Sequence, residues 1–186
     1  MPEAADHDAL TLLRQRDVRG FDLAYARYAE RIFAFLVRLS GSRAQAEDLF
    51  QHTFMRLAEV GPRLAHDSDL RAWLFSVARN AFHSHARSRA VVMRADLALI
   101  PLPIGAPAPD AGLVLDELER ALAALTPSDR ELLLLLGVEG LSPLEVAAIL
   151  DLHQVTVRKR VSRARARLAE ALDEQARIMS KFLVRE

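Results

Sequence analysis

Residues 153–168 carry six bases (Arg158, Lys159, Arg160, Arg163, Arg165, Arg167) and no acid. A solvated helix face ordinarily mixes in acids that form i,i+4 ion pairs. A run of one sign points instead to a polyanion. A second run spans residues 71–94, where five arginines (Arg71, Arg79, Arg87, Arg89, Arg94) again meet no acid. The chemistry on offer is recognition, because guanidinium and ammonium groups hold phosphates and read base acceptors. Between the runs, residues 116–151 carry eight acids against Arg120 and Arg130. The formal net charge of zero is thus an average over segregated patches, and two separate surfaces on one nucleic acid are expected.

Catalytic chemistry is poorly represented. His83 and His85 would sit about 200° apart on a helix and could not share an ion. His7, His52, His66 and His153 stand singly. The chain has no HExxH, no glycine-rich phosphate loop and no GxSxG. It has no cysteine, which excludes a disulfide scaffold, a cysteine nucleophile and cysteine-ligated metal. The expectation is a protein that is not an enzyme, with no cofactor, no metal and no small-molecule substrate. No apolar run approaches the ~20 residues of a membrane span. Residues 1–8 are acidic and lack a signal-peptide core, so a cytoplasmic location is expected.

The elements that must position the basic runs read as helices. A hydrophobic content of 51%, only 7 glycines and abundant Ala, Leu and Arg predict an all-α chain. It would form two small helical domains, 1–90 and 113–186, joined by a Pro-rich linker over 91–112. The linker contains Pro101, Pro103, Gly105, Pro107, Pro109 and Gly112. Its apolar residues Leu97, Leu99, Ile100, Leu102 and Ile104 would be costly to leave in water. It therefore either lies along a partner or folds back on its own domains. In the first domain, helices are expected over 9–15 (ended near Gly20), 21–39, 43–60 and 69–89, the last capped by Asp69. In the second, a helix over 113–125 precedes Thr126 and Pro127, a cap and first helical residue. That second helix ends at Gly140. Ser142 and Glu145 form a capping box for a short helix to Leu150. After the turn 151–153, a last helix runs from Gln154 to at least Leu172. The terminal Ile178, Met179, Phe182, Leu183 and Val184 would pack on this domain or contact a regulator.

A short helix, a tight turn and a basic helix make a helix-turn-helix. Projected at 100° per residue, Val157, Val161, Ala164 and Leu168 face inward. Val155, Lys159, Ser162, Arg163 and Ala166 lie opposite, flanked by Arg158 and Arg165 on one side and by Thr156, Arg160 and Arg167 on the other. The groove-facing candidates are Val155, Thr156, Arg158, Lys159, Arg160, Ser162, Arg163 and Arg167. In helix 43–60, Ala46, Leu49, Phe50, Thr53, Phe54 and Leu57 form the buried stripe. Asp48, Gln51, His52, Met55 and Glu59 face outward, where Met55 suits docking against another helix. In helix 69–89, Leu70, Trp73, Leu74, Val77, Ala78 and Ala81 are expected inside. Arg71, Phe75, Arg79, His83 and Arg87 recur along the outside or its edge. Cations plus an edge ring suit single-stranded DNA, with Phe75 the candidate stacking residue.

These segments resemble one known family. Residues 140–150 (GLSPLEVAAIL) and 156–165 (TVRKRVSRAR), preceded by 125–135 (LTPSDRELLLL), are similar to the promoter-reading domain four of extracytoplasmic-function (ECF) sigma factors of bacterial RNA polymerase. Residues 46–54 (AEDLFQHTF) resemble the polymerase-binding helix of sigma domain two, and 70–80 (LRAWLFSVARN) resemble its −10-element helix. The likeness spans roughly residues 9–172, with the four motifs in the family's order. It implies core-polymerase binding through Asp48, Leu49, Gln51, His52 and Met55, against the clamp helices of the largest subunit, with further contact at the polymerase flap region. It implies −10 binding through Arg63, His66, Asp67, Arg71, Phe75, Arg79, His83 and Arg87, with the loop 61–68 helping to form a pocket for a flipped base. The basic helix would read the −35 element. An anti-sigma factor is a further partner the resemblance implies. The chain departs from the pattern at Asp151 and Val155, where the family often has Gly, and at His52, where an acid is usual. Two other readings stand beside it: a helix-turn-helix regulator with a sensor half, and a sigma mimic that occupies an anti-sigma factor.

Overall fold

A computed structural model describes residues 4–95 and 113–183, with side chains over 6–88 and 117–173. Every regular element among them is helical. The chain divides into two compact units, Met1–Pro103 and Ile104–Glu186. Most of the expected linker, with Leu97, Leu99, Ile100, Leu102 and Ile104, lies outside the described residues. So do the side chains of Ile178, Met179, Phe182, Leu183 and Val184.

The first unit contains α1 (Ala4–Arg14), α2 (Val18–Ser40), α3 (Arg43–Val60), a 3₁₀ turn (Gly61–Arg63) and α4 (Leu70–Ala95). The starts of α2, α3 and α4 have a local cause. Asp17 caps α2 by accepting from the Arg19 N–H, Ser42 caps α3 through Gln45 N–H, and the Asp69 carboxylate accepts from Ala72 N–H at 2.8 Å. Arg19 also donates side-chain hydrogen bonds to Asp17, which hold its carboxyl down to about 2. Gly41 ends α2 at φ +66°, a left-handed geometry that glycine adopts without strain.

Three boundaries differ from expectation. The first helix begins at Ala4, and Asp6 within it is buried. The Tyr28 hydroxyl donates to Asp6 Oδ2 at 2.6 Å, and Arg27 approaches the same carboxylate at 3.4 Å. Burial and this bond push the Tyr28 phenol well above its ordinary value of 10.0. Gly20 does not end a helix; it lies inside α2. A Cβ there would sit 2.5 Å from Leu13 N and 2.8 Å from Ala9 O, so glycine is what lets α1 and α2 touch backbone to backbone. The fourth helix runs on to Ala95, past the expected linker start at 91.

The second unit contains α5 (Leu113–Ala124), α6 (Pro127–Leu133), a π-helical turn (Leu134–Val138), α7 (Pro143–Leu150) and α8 (Gln154–Leu183). Helices α5, α6 and α7 all pack against α8, which is the spine of the unit. Thr126 caps α6, and Ser142 and Glu145 form the expected capping box, with Ser142 N–H donating to Glu145 Oε2 at 2.6 Å. The helix expected to run from Pro127 to Gly140 is α-helical only to Leu133 and then widens into the π turn. Its buried Arg130 reaches back to close α5, donating to the carbonyls of Leu122 (2.9 Å), Ala123 (2.6 Å) and Leu125 (3.2 Å). Burial of the guanidinium lowers the Arg130 pKa.

Candidate functional site

On α3 the inner stripe is Ala46, Leu49, Thr53, Phe54 and Leu57, all buried. The buried Thr53 hydroxyl is satisfied by the Leu49 carbonyl at 2.8 Å. Asp48, Gln51 and His52 are exposed, and Met55 is 63% exposed. Leu49 is 4% exposed, so it anchors the helix from beneath and does not belong to the outward face. Phe50 is only half-buried. It joins a ring cluster across α2 and α3, with Phe54 at 4.8 Å, Phe33 at 5.8 Å and Tyr25 at 6.0 Å. The edge contacts of Phe50 with Phe33 and Tyr25 tie α3 to α2.

Helix α4 reverses one expectation. Phe75 is fully buried and meets Phe35 edge-on at 5.3 Å, whereas Trp73 is partly exposed. Phe75 is therefore a core residue. The cause is that α4 packs against both α2 and α3, which widens its buried arc past the single stripe that periodicity suggests. Along the same helix Arg71, Arg79 and His83 are half-buried and Arg87 is exposed. Arg79 donates to Asn80 Oδ1 at 3.1 Å, and Arg87 to Ser84 Oγ at 3.0 Å. Arg63, His66 and Asp67 are all exposed in the segment that leads into α4. His66 Nδ1 and Asp67 Oδ1 lie 3.5 Å apart. His85 does not join His83; its Nδ1 lies 3.0 Å from Gln45 Nε2 of α3.

On α8, Val157 and Ala164 are fully buried and Val161 and Leu168 half-buried, as the projection requires. Val155 is 63% exposed, Arg158, Lys159, Arg160, Ser162 and Arg163 are exposed, and Thr156 is half-buried. The turn ahead of α8 is held by Asp151 at φ +52°, whose N–H bonds back to Ala147 and Ala148 carbonyls. Arg167 is not the simple solvent-facing base expected. Its Nη1 donates to Asp129 Oδ2 of α6, and both residues line a cleft with Ser128, Arg160 and Arg163. Sequence spacing missed this pair because its members stand 38 residues apart on different helices.

Residues 24–91 match the model for sigma-70 region 2, and residues 115–168 match that for sigma-70 region 4. A curated relative, the ECF RNA polymerase sigma factor EcfG of Rhodopseudomonas palustris, is 36% identical over 75% of this chain and 77% of its own. The chain belongs to the ECF RNA polymerase sigma factors. A probable RNA polymerase sigma-C factor of Mycobacterium bovis is 33% identical over 90% of this chain and 94% of its own. Among solved structures, the sigma factor RpoE of Bartonella quintana, in complex with the anti-sigma factor NepR, matches with a TM-score of 0.73 at 35% identity. That match covers 82% of this chain and 96% of that one.

As an ECF sigma factor the protein is a transcription-initiation factor that recognises promoters for RNA polymerase. The region 2 match contains α3 and most of α4, and the region 4 match contains the helix-turn-helix of α7 and α8. The tight turn ahead of α8 takes a left-handed φ at Asp151, a geometry that glycine adopts most readily. Aspartate is among the few other side chains that tolerate it. Among the described residues no group of His, Asp and Glu could hold a metal ion, and no helix is long and apolar enough to cross a membrane.

Proposed function

We propose that this sigma factor divides its contacts along the chain. Residues 1–90 bind core polymerase and the −10 element, 113–186 bind the −35 element, and 91–112 link them. The observation that carries the reading is the outward face of α8, where Val155, Arg158, Lys159, Arg160, Ser162 and Arg163 all stand exposed above a buried inner stripe. Arg and Lys at the start of that helix reach guanine acceptors, Val155 meets a thymine methyl, and bases further out hold phosphates.

The exposed Asp48, Gln51, His52 and Met55 dock on the clamp helices, with Leu49 supporting them from below. Arg63, His66, Asp67, Arg71, Arg79, His83 and Arg87 hold the −10 strand. The partly exposed Trp73 replaces Phe75 as the ring that a splayed base can meet. Trapping unpaired bases shifts the melting equilibrium by differential binding, so no catalytic residue is called for. The site of action is the cytoplasm, where polymerase and chromosome meet. The likeness to a sigma factor solved with its anti-sigma factor supports an inhibitory partner for this chain as well, which co-purification from the native cell tests.

The test of the whole reading is run-off transcription with purified core polymerase. The wild-type chain confers promoter-dependent initiation. Asp48→Arg abolishes core association, and Lys159→Ala keeps core association but weakens initiation at promoters that depend on the −35 element. Core enzyme that ignores the wild-type chain, or binds Asp48→Arg equally well, overturns it.

A further inference from the structure

The cleft between α6 and α8 adds to the outer face of α8 two groups that the −35 reading leaves out, Arg167 and the Asp129 carboxylate it pairs with. Three guanidiniums, from Arg160, Arg163 and Arg167, line a space of about 220 Å³ together with Ser128 and one carboxylate, Asp129. Its formal charge is two positive. At 100° per residue the three arginines fall within about 60° of one another, so one side of α8 presents all of them. The fourth participant comes from outside the helix-turn-helix. Asp129 is 9% exposed and is rooted at the start of α6, its N–H donating to Thr126 Oγ1 at 3.2 Å. Its carboxylate accepts from Arg167, whose side chain nevertheless remains 54% exposed.

An arginine has five N–H donors in a planar fork. A carboxylate that engages one end of the fork orients the plane and leaves other donors facing the cleft. A guanidinium fixed before binding loses less rotamer freedom when it meets its ligand. A tetrahedral oxyanion of the phosphate class matches the surroundings: several donors from different directions, positive charge, and a hydroxyl from Ser128. A large apolar ligand would find no matching wall among these lining residues.

We propose that this cleft is a phosphate clamp, in which Arg160, Arg163 and Arg167 grip one backbone phosphate of the bound duplex and Asp129 acts as the positioning residue for Arg167. The proposal rests on the −35 reading above and deepens it. It makes α6 a second support of the DNA contact, so that register on the duplex is set from outside the reading helix.

The experiment uses holoenzyme assembled from core polymerase and the full-length chain. Single phosphates around the −35 element are replaced by neutral methylphosphonates, one position at a time. At one position the replacement weakens wild-type binding by about tenfold, the loss of one charge-assisted contact. The same replacement then costs Arg163→Ala clearly less than it costs wild type, because Arg160 and Arg167 still hold that phosphate, and Arg163→Ala alone lowers the salt slope by less than about 0.9. Asp129→Asn reduces the coupling at that same phosphate, and adding it to Arg167→Ala gives no extra loss, with the melting temperature as a folding control. Coupling spread evenly over the backbone, or absent at every position, overturns the clamp. Saturable binding of inorganic phosphate to the free protein, in competition with the duplex, assigns the cleft to a small anion and overturns it too. Lys159→Ala separates the two levels. If it weakens promoter binding while no phosphate couples to Arg163, only the clamp has failed. If Lys159→Ala and Arg163→Ala are both silent, the −35 reading has failed with it.

Discussion

Replacing Arg130 with methionine keeps most of the buried side-chain volume and removes every donor. In the native unit this guanidinium closes the C-terminal end of α5, where the last carbonyls of a helix lack intrahelical partners. Leu122 O also receives the Leu125 N–H at 3.2 Å, so the heavier losses fall on the carbonyls of Ala123 and Leu125. A buried acceptor stripped of its partner costs about 1–3 kcal/mol. The Leu125 carbonyl is buried and that of Ala123 partly so, and together they give roughly 2–5 kcal/mol. Release from burying a charge, the same burial that lowers the Arg130 pKa, offsets part of this. A net destabilisation of about 3 kcal/mol is expected, which for a unit of ~80 residues lowers its melting temperature by roughly 12–24 °C. The single tryptophan supplies an internal control. Trp73 lies in the first unit, so its fluorescence melt reports that unit alone, whereas far-UV circular dichroism reports both. Arg130→Met should split the dichroism transition and leave the fluorescence transition in place. A dichroism melt matching wild type would refute the capping argument, and so would equal losses in both probes.

Exchange of roles on α4 predicts opposite phenotypes. Phe75→Ala should cost about 3–5 kcal/mol of stability in a denaturant titration. Trp73→Ala should lose much less stability but reduce permanganate reactivity of −10 thymines in open complexes; a normal open complex would remove that ring from the strand contact. At Asp151 the positive φ decides the outcome: Asp151→Gly should be neutral or stabilising by up to about 1 kcal/mol, and Asp151→Val destabilising by about 1–2 kcal/mol. Equal melting temperatures for the two would show that the turn is unstrained. Tyr28 makes the first unit sensitive to alkali. The unfolded chain loses the phenolic proton near its ordinary pKa of 10.0 while the folded chain keeps it, so stability is full below that pH and falls as pH rises through it. Tyr28→Phe should flatten this fall between about pH 10 and pH 12, measured as the urea midpoint by Trp73 fluorescence.

What could be read from sequence was what depends on near neighbours. The caps at Asp69 and Thr126, and the Ser142–Glu145 box, join side chains to backbone three residues away, and all three form. The bounds of α3 followed from the breaks on either side of it, Ser40-Gly41-Ser42 and Gly61-Pro62. The inner stripe of α8 followed from spacing alone, and its exposed bases with it. What escaped depended on partners far along the chain. Asp6 meets Tyr28 across 22 residues, and Arg167 meets Asp129 across 38. Gly20 could equally have ended a helix or allowed two backbones to touch, and only the presence of α1 against it decides. Phe75 and Trp73 stand two positions apart, so the same amphipathic pattern tolerates either inside. The ring of Phe35 on α2 settles which. Arg130, counted by sequence among the few bases of an acidic block, carries no local sign of its structural task.

Helix α8 is at once the rod on which its unit is assembled and the part whose outer side we propose to meet the promoter. Its inner positions, Val157 and Ala164, are buried, and its outer ones, Val155, Arg158, Lys159 and Ser162, stand exposed along the same backbone. Exchanges on the outer side therefore cost little folding energy, typically within about 0.5 kcal/mol. Duplicated copies of such a gene can drift toward new target sites while the scaffold stays intact, one helical face evolving independently of the other.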